Sequence, residues 1–126
     1  MIRILVVDDE IAILDEIAET LTEEGYEAVC VDRVDAALDA LRNHSDINLV
    51  VTDLKMPGKT GVNLINQARA EFERDITFIV MSGHGSPAVD PNGLEINEYP
   101  FLKKPLDIDQ FLEAVTKALA QNEDRR

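Results

Sequence analysis

Five residues with chemical potential stand at or just beyond the ends of short apolar runs. Asp8 and Asp9 follow residues 2–7, Asp53 follows 47–52, Ser82 follows 76–81, and Lys104 lies just past Phe101 and Leu102. In an open parallel sheet, functional groups collect at the carboxyl ends of the strands. If these runs are strands of one such sheet, three carboxylates, a hydroxyl and an ammonium meet at one edge. Three carboxylates at that edge repel at neutral pH unless a cation sits among them. Few oxygen ligands, with positions left for water and a phosphate, suit Mg²⁺ better than a calcium cage, and no EF-hand spacing is present. Lys104 implies that an anion arrives too, because a divalent ion and an ammonium can each neutralise one side of a transferring phosphoryl group. The Ser82 hydroxyl can donate to a further phosphoryl oxygen. A carboxylate with an ordinary pKa of about 3.9 is already ionised and can attack phosphorus without a general base. Asp53 is the best candidate nucleophile, since it closes a buried run just before the turn residues Lys55, Met56, Pro57 and Gly58.

The elements that must position these groups alternate in period. Residues 2–7, 26–31, 47–52, 76–81 and 101–102 read as strands, rich in Ile and Val and mostly continuous, as for strands covered on both faces. Between them run helical stripes: Leu14, Ile17, Ala18 and Leu21, stopped by Gly25; Ala37, Leu38 and Leu41, opened by Asp32 as a cap; Val62, Ile65, Ala68 and Phe72, with Arg69 at the polar edge. The last helix has a capping box in Asp107 and Gln110, a staple between Leu106 and Phe111, and a stripe of Phe111, Leu112, Val115 and Leu119. Five strand–helix alternations imply an α/β sandwich, with helices on both faces of a parallel sheet. The domain is expected over residues 1–121, and the polar residues 122–126 as a tail or the start of a linker.

Composition narrows the function. The chain has 126 residues and a formal charge of −13, which argues against phosphate-backbone binding and against anionic membranes. One cysteine, Cys30, excludes an internal disulfide and a Cys-based zinc site; within an apolar run it reads as a core thiol. His44 and His84 are too scattered to make a zinc set. The apolar start is too short to span a membrane and lacks a signal-peptide pattern, so a cytoplasmic protein is expected.

Four segments together resemble the receiver domain of bacterial two-component response regulators: LVVDDE at 5–10, VTDLKMPG at 51–58, MSG at 81–83 and FLKKP at 101–105. The resemblance covers nearly the whole chain. It implies a flavodoxin-like (βα)5 fold with strand order 2-1-3-4-5. It further implies that Asp53 is the phosphoacceptor for a phosphohistidine of a sensor histidine kinase or histidine phosphotransfer protein, with an unknown output partner. By the same resemblance Asp9 ligates Mg²⁺ directly, Asp8 chiefly through water, and Asp53 and the Lys55 backbone carbonyl complete the protein ligands. Lys104 holds the phosphoryl group, Ser82 moves toward it, and Phe101 follows inward as an aromatic switch. The Lys55 side chain lies where the family tunes the lifetime of the acyl phosphate; His84, just after the Ser82-Gly83 turn, is a further tuning candidate if it reaches the site rim, against its plainer reading as a solvated loop histidine. Such a domain is a regulatory phosphoacceptor, not a conventional enzyme.

Each fragment also has a plainer reading. Asp8-Asp9 can mark a helix entry, Asp53 can cap a turn, and Lys104 can be a solvated lysine. An Asp-nucleophile phosphatase needs a second acid two residues past the nucleophile, where Lys55 stands. A flavin carrier needs a Ser/Thr/Gly-rich loop where Asp8, Asp9 and Glu10 stand, and aromatic content is only 5%. A receiver-like module that is never phosphorylated has no need of Asp53, Ser82 and Lys104 together. One stretch departs from the family. Between Ser82 and Lys104, where a fourth helix is usual, Pro91 would fall in the helix interior at a cost of about 3 kcal/mol, and Asn92-Gly93 is a turn signal. That helix is expected to be short, displaced or absent.

Overall fold

The computed structural model describes residues 2–56, 58, 60–83 and 99–124. Its elements are β1 (Arg3–Val7), α1 (Ile11–Glu23), β2 (Glu27–Val31), α2 (Val34–Asn43), β3 (Leu49–Asp53), α3 (Gly61–Glu71), β4 (Thr77–Ser82), β5 (Phe101–Lys103) and α4 (Ile108–Asp124). All strand pairs are parallel, in the order β2-β1-β3-β4-β5. This is the flavodoxin-like sheet that the alternating pattern and the resemblance called for. The expectation of a short, displaced or absent helix between β4 and β5 falls on residues 84–98, outside the described residues, as does His84.

The pleat divides the core. On one face Ile4, Val6, Val51, Ile79 and Met81 meet α1 through Leu14, Ile17 and Leu21, and α4 through Phe111, Val115 and Ala118. On the other, Leu5, Val7, Val50, Phe78 and Val80 meet α2 through Ala37, Leu38 and Leu41, and α3 through Leu64, Ile65 and Ala68. β3 and β4 are buried along their whole length, and β1 from its second residue, which is why their sequences do not alternate. Phe111 is fully buried. Phe111→Ala is therefore expected to cost about 3–5 kcal/mol in a urea titration, whereas a loss below about 1 kcal/mol would contradict this packing.

Helix ends follow local chemistry. α1 closes in a Schellman motif: Gly25 takes φ 88°, its N–H donates to the Thr22 carbonyl, and the Tyr26 N–H reaches back to that of Leu21. α4 opens with the Gln110 N–H donating to Asp107 Oδ1 at 3.1 Å, and Leu106 packs against the cluster holding Phe111. Its backbone continues to Asp124. Two sequence expectations fail. Asp32 does not cap α2, whose N-cap is Arg33 with no side-chain bond; Asp32 instead pairs with the Arg33 guanidinium at 3.2 Å. Cys30 is exposed, because β2 is an edge strand that the helices cover only in part. Partial burial, aided by the charge of Asp15, still raises its thiol pKa above the ordinary value.

Candidate functional site

The carboxyl edge of the sheet is tied together strand by strand. The Asp8 N–H donates to Val31 O at 3.2 Å, the Leu54 N–H to Met81 O at 3.0 Å, and the Lys104 N–H to Ser82 O at 2.9 Å. Ladder bonds thus place the residues after β1, β3 and β5 in register with their neighbours. Each chemical side chain emerges at a fixed height above the same edge.

Lys104 Nζ is the centre of the cluster. It lies 2.7 Å from Asp8 Oδ2, 3.2 Å from Asp53 Oδ2 and 3.3 Å from Glu10 Oε1. Its side chain is 11% exposed, and those of Asp8 and Asp53 are 0% and 8% exposed. Burial disfavours the Lys104 ammonium, but its contacts with Asp8 and Asp53 outweigh that and raise its pKa above the ordinary value. For Asp53 burial dominates: it raises the carboxyl pKa despite the opposing charge of Lys104, and Asp8 adds to the rise. A solvated strand-end lysine would show neither contact set. The plain reading of Lys104 is excluded.

Asp8 and Asp9 are not a helix cap either. The N-cap of α1 is Glu10, and no side chain caps it. Asp8 Oδ1 accepts the Glu10 N–H at 2.9 Å, while its buried Oδ2 has the Lys104 ammonium nearby but receives no hydrogen bond of acceptable geometry. Asp9 is exposed at the rim. Asp8, Asp9, Glu10 and Asp53 each offer a carboxylate oxygen, and these oxygens lie within 4.8 Å of one another. An under-satisfied buried oxygen inside an all-oxygen donor set fits a hard divalent cation such as Mg²⁺.

Asp53 closes β3, with Oδ1 accepting the Lys55 N–H at 3.4 Å and Oδ2 facing Lys104. The Lys55 side chain is exposed beside it. Ser82, buried, ends β4 on the same edge. Phe101 opens β5, half-buried, and packs toward the α2–α3 face. The expected site residues Asp8, Asp9, Asp53, Lys55, Ser82 and Lys104 therefore share one edge, with Phe101 two pairs down the adjoining ladder. Nothing in the sequence pattern singles out Glu10; its contact with Lys104 depends on the turn into α1. The Lys104–Pro105 peptide is cis.

The family model for the response regulator receiver domain matches residues 4–116. The chain belongs to the response-regulator receiver family. Among relatives, transcriptional regulatory protein FixJ of Bradyrhizobium diazoefficiens is 30% identical over 121 residues, covering 96% of this chain and 58% of its own. Sporulation initiation phosphotransferase F of Bacillus subtilis is 29% identical over 117 residues, covering 93% of both chains. A CheY-like receiver domain protein from Methanospirillum hungatei, solved by crystallography, superposes with a TM-score of 0.85 at 28% identity over 98% of both chains. This receiver thus spans 58% of one relative's length and nearly all of another's. Among the described residues, no helix is long and apolar enough to cross a membrane.

Proposed function

We propose that this receiver is a phosphorelay switch in which Asp53 accepts a phosphoryl group from a phosphohistidine of a sensor histidine kinase or a histidine phosphotransfer protein. The observation that carries the reading is the pairing of a buried strand-end carboxylate with a largely buried ammonium 3.2 Å away, beside three further carboxylates. An Asp53 oxygen attacks phosphorus as the P–N bond to the donor imidazole breaks. The imidazole leaves with the electron pair and takes a proton. Lys104 then faces the new phosphoryl oxygens, and Ser82 moves to donate to another. Phe101 follows toward the space Ser82 vacates, carrying the change to β5 and to an output partner.

Asp8, Asp9, Asp53 and the Lys55 carbonyl would hold Mg²⁺, which neutralises phosphoryl charge when bound. Residues 1–121 form the receiver unit, with a tail or linker start at 122–126, acting in the cytoplasm. The exposed Lys55 side chain sits where it can set water access to the acyl phosphate, and His84 is proposed for the rim. The deciding experiment is intact-mass measurement after incubation with a small phosphodonor, with and without Mg²⁺. A gain of one phosphoryl group only with Mg²⁺ supports the reading, and no gain in either condition refutes it.

Mg²⁺ should also stabilise the unphosphorylated domain by mass action, by about 2.7 kcal/mol at a hundredfold excess over its Kd. Asp9→Asn should remove most of that gain. Because Asp9 is exposed, relief of repulsion should add less than about 1 kcal/mol to the metal-free form. A melting temperature that ignores Mg²⁺ in the wild-type protein would contradict the metal site.

A further inference from the structure

We propose that Gly61, the first residue of α3, is a positioning residue for Asp53, because α3 packs its backbone directly on the main chain of the phosphoacceptor. The proposal rests on the phosphoacceptor reading of Asp53.

A Cβ built on Gly61 would collide with the Asp53 carbonyl oxygen, and it would also press on the Asp53 carbonyl carbon and Leu54 Cα, each 3.1 Å away. These are backbone atoms of a buried strand end and cannot swing aside as a side-chain tip can. Gly25 and Gly58 are different, since they have positive φ and open space around the missing Cβ. Gly61 has no such φ, so the requirement here is close approach, not turn conformation.

The approach is held from both sides. The Gly61 N–H donates to Leu54 O at 3.1 Å, tying the helix start to the residue after Asp53. Thr60 and Asn63 form a reciprocal capping box, with the Thr60 N–H on Asn63 Oδ1 at 2.8 Å and the Asn63 N–H on Thr60 Oγ1 at 3.3 Å. Leu64 and Ile65, fully buried, prevent α3 from backing away without opening the core. An added methyl must therefore displace either α3 or the Asp53 peptide. The Asp53 peptide carries a carboxylate whose two oxygens face Lys55 N–H and Lys104 Nζ, so its displacement misaims the nucleophile. Misplacement by a fraction of an ångström changes the rate of an oriented reaction more than it changes binding of the donor.

The test is phosphorylation of Gly61→Ala, Asn63→Ala and Arg74→Ala by a small phosphodonor in saturating Mg²⁺, followed by intact mass over a range of donor concentrations. The folded fraction of each is measured by circular dichroism. Arg74 donates to the carbonyl of Leu41 in the last turn of α2 and to those of His44 and Ile47 in the segment before β3, so its loss disturbs the fold away from the carboxyl edge. Corrected for folded fraction, Gly61→Ala should lower the maximal rate about tenfold and Asn63→Ala about threefold, with half-saturation by donor unchanged. Arg74→Ala should stay within about twofold of wild type. Folded Gly61→Ala at the wild-type maximal rate, or Arg74→Ala slowed as much as Gly61→Ala, would overturn the proposal. If Gly61→Ala fails to fold, Asn63→Ala decides, and an unchanged rate counts against it. A wild-type chain that gains no phosphoryl group would instead overturn the phosphoacceptor reading on which the proposal stands.

Discussion

Asp53→Asn is expected to abolish the Mg²⁺-dependent mass gain while making the metal-free domain more stable. The amide keeps the shape of the carboxylate but cannot attack phosphorus. Its stabilising effect has a separate cause. Burial, ahead of the charge of Asp8, raises the Asp53 pKa, so the folded protein binds the proton more tightly than the unfolded chain. The Asp53 contribution to wild-type stability must then fall as pH rises from the ordinary carboxylate pKa of about 3.9 through the raised folded value. Removing an imperfectly compensated buried charge should give Asp53→Asn an advantage of about 1–2 kcal/mol at pH 7. Lys104 keeps Asp8 and Glu10 as partners in that variant. The advantage should shrink toward pH 4 and vanish by about pH 3, below the unfolded pKa, where the wild-type carboxyl is mostly protonated in both states. Urea titrations in chelator across this pH range measure it. A full mass gain in Asp53→Asn would falsify the phosphoacceptor assignment, and a variant less stable than wild type at pH 7 would contradict the electrostatics.

Lys104→Met should produce the opposite stability change. The stem stays and the charge goes, leaving Asp8, fully buried, and Asp53 with no cation between them. Breaking a buried charge cluster by removing one partner costs about 3 kcal/mol. That cost should shrink at acidic pH, as Asp53 with its raised pKa takes up a proton, and in saturating Mg²⁺, which supplies positive charge to the same oxygens. Lys104 itself has a raised folded pKa, so its contribution is complete below the unfolded value of about 10.4 and is lost as pH rises through the higher folded one. The variant should therefore lack the wild-type loss of stability at alkaline pH. Some phosphorylation should survive, because the nucleophile is intact, but the conformational response should weaken. A variant as stable as wild type in chelator at pH 7 would show that Lys104 does not neutralise the cluster.

The one-dimensional pattern already determined much of this receiver. Continuous Val- and Ile-rich runs of six residues or fewer read as strands, and stripes at helical spacing between them leave a parallel sheet as the consistent arrangement. Asp8, Asp9, Asp53, Ser82 and Lys104 then fall at strand ends, and one edge follows from the topology. What the pattern did not decide are properties of neighbours distant in sequence. Cys30 sits in a run as apolar as the others, yet it is exposed, because burial depends on which strand lies at the sheet edge. Leu64 and Ala118 are buried although neither belonged to the expected stripes, since the orientation of a helix is set by the surface it packs on. Glu10 reaches Lys104 across 94 positions of chain only because the turn into α1 faces the end of β5. Gly61 shows the limit most sharply. In sequence it is one glycine beside a turn; only the packing of α3 against the carbonyl of Asp53 reveals that no Cβ fits there. Periodicity and residue type are local and therefore visible in sequence, whereas clearance and charge compensation arise between segments and exist only once the chain has closed on itself.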